Sequence, residues 1–334
     1  MTKGWRRAML LTCCILLADA CNVQSPTAGI DRGGIRTPVV TQGPITGFGS
    51  IIVNGVHYDI TNAAIEVDGG TAMGGDLELG QLVTVVGERE QDGTTGVADT
   101  VLAQTNVRGP VQSVDLATGK LVVLEQDIVV DAETVLSFGS DAPDLASLQV
   151  GDVVSVSGFA GLDGLIAATR VARVSAGRSY RIFGTVSNLD AAALRFNINR
   201  LVVDYRNALV VDGFPNGGPA VGDQVAVEGT EIGPSGELVA LELHHEQPEF
   251  EHQSGESEVE GLITRFVSPE DFDVAGVPVT TTADTRYEGG DGSNLALSVK
   301  VQVEGSAGTD GVIVAHKVEI KDGGRTVGSE GGDG

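Results

Sequence analysis

One short phrase occurs four times in this chain at a nearly constant spacing. The copies are LELGQLVTVVGE (77–88), LQVGDVVSVSGF (148–159), PAVGDQVAVEGT (219–230) and LALSVKVQVEGS (295–306). Each copy contains a glycine at or near its end: Gly87, Gly158, Gly229 and Gly305. Successive glycines lie 71, 71 and 76 residues apart. So regular a period indicates duplicated structural units, each one repeat of the same small fold.

The last part of each phrase alternates between apolar and variable positions. The positions that we expect to face inward are all valine: Val83, Val85, Val154, Val156, Val225, Val227, Val301 and Val303. The positions between them change from repeat to repeat, as Thr84, Ser155 and Gln302 show. A period of two predicts a β-strand with one face in a core and the other outside it.

Glycines at both ends of this strand predict local backbone features. Gly80, Gly151 and Gly222 precede it at a fixed offset and predict a tight turn with positive φ. Ser298 takes that place in the fourth unit, so a different entry turn is expected there. The closing glycine predicts a β-bulge or a barrel corner.

The rest of each unit also reads as strands. A second strand follows the phrase after a polar turn, and each unit opens on a glycine: Gly43, Gly109, Gly184 and Gly261. Short extended pieces such as 120–131 and 193–205 lie between. About five strands in about 70 residues is close to the minimum for a small closed barrel. With 47 glycines and abundant valine, the chain is expected to be all-β.

These motifs resemble those of a bacterial family called DUF5666. The resemblance rests on the G-x-[VI] opening, the L-x-x-G-D-x-V-x-V-x-G phrase and the strand that follows, over roughly residues 43–322. It implies four tandem OB-like five-stranded β-barrel repeats in an exported protein, and it supplies no activity. The expected divisions are 1–20 (signal peptide), 21–42 (flexible linker), 43–106, 107–177, 178–248 and 249–322 (repeats), and 323–334 (disordered tail).

The first residues read as an export signal. Lys3, Arg6 and Arg7 precede the apolar run at 8–18, which is too short to span a bilayer as a helix. The sequence LADAC resembles a lipobox, which implies cleavage before Cys21 and lipidation of that cysteine. Lipidation with Asn22 next favours the bacterial outer membrane, facing the periplasm or the exterior. The alternative is simple secretion, because Ala18 and Ala20 also suit an ordinary cleavage site.

The charge of the chain limits its partners. The formal net charge is −25, and aromatic residues make up only 4% of the chain. Nucleic acid is therefore not an expected partner, because its binding depends on lysine, arginine and stacking side chains. The sequence also has no G-x-S-x-G, H-E-x-x-H, P-loop or dinucleotide motif, so we do not expect an enzyme.

One histidine-rich stretch, 244–260, is a candidate metal site. Its potential ligands are His244, Glu249, Glu251 and His252. Adjacent His244 and His245 would face opposite sides of a strand, and Pro248 suits a solvated linker, which is the alternative interpretation. Acidic, glycine-rich loops at 67–76, 137–144, 211–218 and 288–294 offer oxygen ligands for weak Ca²⁺ binding or serve as surface loops.

Three functions remain at this stage. The first is a non-enzymatic envelope lipoprotein whose repeated barrels form a binding or structural scaffold for a protein, glycan or small ligand. It would use the lipid anchor on the membrane and no cofactor. The second is an envelope protein that binds divalent cations, with weakly held calcium or zinc. The third is a periplasmic enzyme, which the missing motifs disfavour.

Overall fold

A computed structural model describes residues 36–139, 142–175, 177–246 and 255–321. Across these ranges the chain is all-β: it contains 25 strands and a few single-turn 3-10 segments, with no α-helix. No helix in them is long and apolar enough to cross a membrane. The predicted signal peptide and Cys21 lie outside the described residues, so these predictions stay predictions.

The strands fall into four groups that follow the repeats. Repeat 1 contains β1 (Arg36–Gly47), β2 (Ile51–Val53), β3 (Val56–Asp59), β4 (Ala64–Val67), β5 (Gly70–Ala72), β6 (Leu82–Glu90) and β7 (Thr95–Ala103). Repeat 2 contains β8 (Val107–Asp115), β9 (Lys120–Val123), β10 (Gln126–Val129), β11 (Val135–Ser137), β12 (Val153–Ala160) and β13 (Leu165–Arg173). Repeat 3 contains β14 (Tyr180–Asp190), β15 (Arg195–Ile198), β16 (Leu201–Asp204), β17 (Val210–Asp212), β18 (Gln224–Ile232) and β19 (Leu238–Glu246). Repeat 4 contains β20 (Gly255–Ser268), β21 (Asp271–Val274), β22 (Val277–Thr280), β23 (Arg286–Glu288), β24 (Lys300–Ala307) and β25 (Ile313–Ile320).

Each repeat closes into a five-stranded barrel. In repeat 2, β8 pairs with β9 and β12, β9 pairs with β10, and β12 pairs with β13. The parallel pairing of β10 with β13 closes the ring. Repeats 1, 3 and 4 have the same pairings, and the extra short segments β4, β11, β17 and β23 lie parallel to the last strand of their repeat. This strand order confirms the predicted OB-like barrels.

The eight valines of the recurring phrase lie in the barrel cores, as predicted. All of them are 0–1% exposed. Large side chains fill the rest of each interior, including Tyr58 in repeat 1, Leu121 in repeat 2, Phe196 in repeat 3 and Phe272 in repeat 4. Barrels of this size are filled by their own side chains. A ligand therefore has to bind on the outside of a barrel or between barrels.

The closing glycines mark β-bulges, which confirms that prediction. The pairing of the phrase strand with the last strand shifts register at Gly87, Gly158, Gly229 and Gly305. A Cβ at Gly158 would lie 2.3 Å from the carbonyl oxygen of Ala167, and the other three glycines meet the equivalent carbonyl at 2.1 to 2.3 Å. Only glycine allows the two backbones to approach this closely.

The expectation of a different entry turn in the fourth repeat is wrong. Gly80, Gly151 and Gly222 have φ of 79°, 94° and 98°, and Ser298 also has positive φ, at 65°. The Ser298 amide donates to the Ile263 carbonyl at 2.9 Å, as the Gly151 amide donates to an opening-strand carbonyl in repeat 2 at 2.8 Å. The shared hydrogen bond fixes the turn, and serine accepts a left-handed conformation to keep it.

The first barrel begins earlier than the sequence indicated. Strand β1 starts at Arg36, inside the segment 21–42 that was predicted to be a flexible linker. It pairs with β6 from Arg36 to Pro44, and Val39 and Val40 are buried. Pairing and burial hold residues before Gly43 in the strand, so the boundary at residue 43 was too late.

Two sheets link the barrels in pairs. The first barrel joins the last, because β1 runs parallel to β20 from Val39 to Gln42. The second barrel joins the third, where antiparallel β8 and β14 pair Val107 with Ile182 and Arg108 with Arg181. We call these contacts the 1–4 seam and the 2–3 seam.

The 2–3 seam contains two buried arginines that face each other. The side chains of Arg108 and Arg181 are 9% and 3% exposed. Asp68 of repeat 1 lies 2.9 Å from Arg108 Nη1 and 3.3 Å from Arg181 Nε, and Glu228 lies 2.8 Å from Arg181 Nη1. Two carboxylates thus compensate two buried positive charges, and one of them comes from a third repeat.

The 1–4 seam has the opposite arrangement, because its most deeply buried charge is an acid. Glu258 of β20 is 3% exposed and pairs with Arg89 of β6, while the Gln302 side chain donates to its other oxygen. Arg89 keeps 21% of its side chain exposed. Both partners of this ion pair belong to the two repeats that meet there.

Candidate functional site

The predicted metal site is described at only one of its four ligands. His244 lies near the end of β19, and its Nδ1 is 2.6 Å from Asp212 and its Nε2 3.5 Å from Glu242. His245 instead contacts the Phe214 ring and lies 3.9 Å from Asp223, so the two histidines have different neighbours. Glu249, Glu251 and His252 lie outside the described residues. Within the described ranges no three potential ligands come together at metal-binding distance.

The acidic, glycine-rich loops use several of their carboxylates to cap short turns. Asp144 accepts a hydrogen bond from the Ala146 amide, and Asp291 accepts from the Ser293 amide. In repeat 1, Asp76 accepts from the Met73 amide at 2.8 Å. These bonds give the three carboxylates a local structural role. Weak calcium binding by the loops stays a prediction.

A cavity of about 350 Å³ lies where repeats 1, 3 and 4 meet. Its wall includes Gln42 and Leu82 of repeat 1, Phe183, Gln224 and Glu246 of repeat 3, and Pro278 of repeat 4. This volume is within the range of small-molecule sites, and a mixture of apolar surface with a few polar groups is typical of them. Three separate barrels build the cavity, so it exists only in the assembled chain.

The charged side chains on the cavity wall are all acidic. Glu66, Glu246 and Asp310 line the cavity, and no lysine, arginine or histidine does so among the residues that the structure places there. Glu246 is half-buried, and its Oε2 lies 3.4 Å from the Gln104 amide nitrogen. Such a wall favours a ligand that is positively charged or rich in hydrogen-bond donors.

Burial raises the pKa of the Glu246 carboxyl above its ordinary value. Asp68 adds to the rise, while Arg181, His244 and His245 oppose it. The ionised carboxylate is therefore short of favourable partners in this wall, and a positive group beside it would stabilise it.

Phe183 contributes an aromatic ring to a chain that has few. It follows buried Ile182 on β14, so the alternation of the strand directs it away from the barrel core. It is half-buried and lines the cavity. Gln42, which also lines the cavity, has a side-chain oxygen that is buried without a hydrogen-bond partner in the described structure.

Sequence reasoning missed this cavity, although one signal for it was present. The residue before the opening glycine differs in every repeat: Gln42, Arg108, Phe183 and Glu260. It is polar in repeats 1, 2 and 4 and aromatic in repeat 3. Residues that vary on a repeated frame are candidates for function. Glu246 belonged to the histidine-rich stretch but was not singled out.

Comparisons with known proteins agree with the repeat pattern. Four segments match the family described as a domain of unknown function (DUF5666): residues 39–101, 108–172, 183–244 and 260–319. Each match falls on one barrel, and together they cover most of the chain. A search of curated proteins found no match.

A similar solved structure is titled "drosophila Unr CSD456". It is 17% identical, and the alignment covers 65% of this chain and 98% of that chain, with a TM-score of 0.18. We infer nothing about this chain from so low a TM-score. The family match, the four barrels and their strand order point the same way: the chain belongs to the DUF5666 family and carries four copies of its domain.

Proposed function

We propose that this chain is a non-enzymatic binding scaffold of the bacterial cell envelope, which holds a ligand in the cavity between repeats 1, 3 and 4. The cavity is the observation that carries the proposal. The barrel interiors are filled, whereas the space between barrels is open and its wall includes residues that differ between the repeats, such as Gln42 and Phe183. A fold that is repeated four times, with different outer residues in each copy, suits binding.

The envelope location rests on the first residues of the sequence. The apolar run at 8–18 and the lipobox-like sequence before Cys21 support export and lipidation, with the outer membrane as the proposed site. A partner protein or a glycan of the envelope is then within reach of the outer faces of the barrels. The acidic surface disfavours nucleic acid.

Native mass spectrometry of the protein recovered from its envelope fraction tests the binding role. We expect an added mass on the wild-type chain that Thr84→Trp removes, because Thr84 faces outward on the cavity wall and a bulky ring there fills the cavity. Thr37→Trp is the matched control, since Thr37 lies on exposed β1 surface away from the cavity. An unliganded wild-type protein, or equal loss in both variants, would overturn the proposal.

Membrane fractionation tests the anchor separately. We expect Cys21→Ala to move the protein from the membrane fraction to the soluble fraction, because the variant has no thiol for lipid attachment. Cys14→Ala is the control, as cleavage before Cys21 removes that residue. Unchanged attachment of the Cys21→Ala protein would contradict lipidation.

A further inference from the structure

We propose that the cavity between repeats 1, 3 and 4 binds an organic cation, an ammonium group that carries an apolar substituent. This inference rests on the proposed binding function and names the chemistry of the ligand. Nothing in the family assignment or in the sequence motifs specifies it. It follows from the kinds of side chain that the three repeats bring to one wall.

The charge of the wall selects a cation. Three carboxylates, those of Glu66, Glu246 and Asp310, line the cavity without any basic side chain among its described residues. Glu246 is the most enclosed of the three, while Glu66 and Asp310 are exposed at the rim. The half-buried Glu246 carboxylate has one long hydrogen bond, to Gln104, and gains a strong partner when an ammonium group binds beside it.

The apolar part of the wall selects an organic cation over a metal ion. Leu82, Leu102 and Val277 line the cavity together with Phe183. An aromatic ring in the wall of a cation site contributes to ammonium recognition, because the negative face of the ring attracts a cation that has lost its water shell. Apolar side chains next to it provide contact for a hydrocarbon substituent.

The spacing of the carboxylates points the same way. A metal ion needs several ligands around one point, and no such group of three exists among the described residues. The three cavity acids come from β4 and β19 and from the turn between β24 and β25, in three different repeats. An extended cation can contact one carboxylate while its substituent fills the remaining volume.

Binding of small ammonium compounds to the whole chain tests the inference. The probes are choline, benzyltrimethylammonium and phenethylamine, measured by isothermal titration calorimetry. The neutral comparison is 3,3-dimethylbutan-1-ol, which has the shape of choline without its charge. We expect saturable binding of at least one cation and binding of the neutral alcohol that is about tenfold weaker or absent.

Substitutions assign the binding to the cavity. Glu246→Gln should weaken the bound cation about tenfold, and Phe183→Leu should weaken it severalfold while keeping an apolar side chain. Glu242→Gln is the matched control, because Glu242 lies on the same strand and does not line the cavity. Glu66→Gln at the rim gives a second test should Glu246→Gln fail to fold.

Each outcome of these titrations supports or rejects an organic cation as the ligand of the cavity. The inference is overturned if none of the three cations binds, if the neutral alcohol binds as well as choline, or if the Glu246→Gln and Glu242→Gln proteins bind equally. A mass adduct on the wild-type chain without any cation binding would keep the proposed function and reject the ligand class. Binding of Ca²⁺ or Zn²⁺ at the cavity in place of the ammonium probes would also reject it.

Discussion

The two halves of the molecule join their barrels in different ways. Repeats 2 and 3 pair through two residues of each strand, yet their buried apolar side chains form one continuous core that includes Val107 and Ile182. Repeats 1 and 4 pair through four residues of each strand, but their cores form two clusters, with Val40 of β1 belonging to the cluster of repeat 4. The longer backbone seam therefore joins two separate clusters that share only the edge around Val40, whereas the shorter seam lies over one continuous core.

The two halves also differ in how they compensate buried charge. The 1–4 seam compensates Glu258 with Arg89, both from the repeats that meet there. The 2–3 seam depends on Asp68 of repeat 1 for both of its arginines. Asp68 thus ties the buried charges of the second half to the first half, whereas the Glu258–Arg89 pair of the 1–4 seam is compensated within its own two repeats.

The largest effect is expected for Asp68→Asn. The change leaves Arg108 and Arg181 buried with Glu228 as the remaining carboxylate beside them, which should cost about 3–5 kcal/mol of unfolding free energy. Urea unfolding measures the loss. The matched variant is Glu258→Gln, for which we expect a smaller loss of about 1–3 kcal/mol, because Arg89 reaches water. Equal losses would contradict the proposed difference between the seams.

Ile182→Ala tests whether repeats 2 and 3 share one core. Removing this fully buried side chain should cost about 3 kcal/mol through lost contacts and a cavity. Because Ile182 belongs to the continuous core, hydrogen exchange should rise in both repeats 2 and 3.

Ile263→Ala is the comparison in the other half. Ile263 is 1% exposed and belongs to the core of repeat 4, so we expect a similar loss of stability with faster exchange in that repeat and around Val40 of β1, which packs in the same cluster. Faster exchange in repeat 3 without a change in repeat 2, after Ile182→Ala, would show that their cores are not coupled.

The smallest effect concerns the entry turn. Ser298→Gly should stabilise the fourth repeat by about 0.5–1 kcal/mol, because glycine adopts positive φ without the steric cost that serine has. Gly151→Ser makes the reverse change in repeat 2, where no atom lies near the added Cβ, and should destabilise it by a similar amount. Urea midpoints measure both, and changes of the same sign would contradict the prediction.

The barrel wall was predictable because its causes are local. A period of two fixes which valines are buried, and the closing glycines report the close approach of two strands. Ser298 misled the prediction, since a residue type indicates a preference and the hydrogen bond to Ile263 overrode it. Likewise, Val39 and Val40 did not indicate a strand by themselves, because their partners are far away in the sequence.

The cavity was not predictable from the sequence, because it depends on how the barrels pack. Glu246 and Gln42 are brought to one wall by contacts between repeats 1 and 3, which no local pattern encodes. Pairing of β1 with β20 has the same origin: neighbouring repeats are expected to touch, whereas the first and last repeats meet only in the finished fold.

The parallel pairing of β1 with β20 also sets an order of events in folding. While the chain is being made, the edge of β1 at Val39–Gln42 lacks the strand that covers it until residues 256–259 have emerged. An uncovered strand edge is a template for pairing with another chain. Completion of repeat 4 therefore covers an edge of repeat 1 that would otherwise be open to pairing with other chains, and we expect slow completion of repeat 4 to favour aggregation.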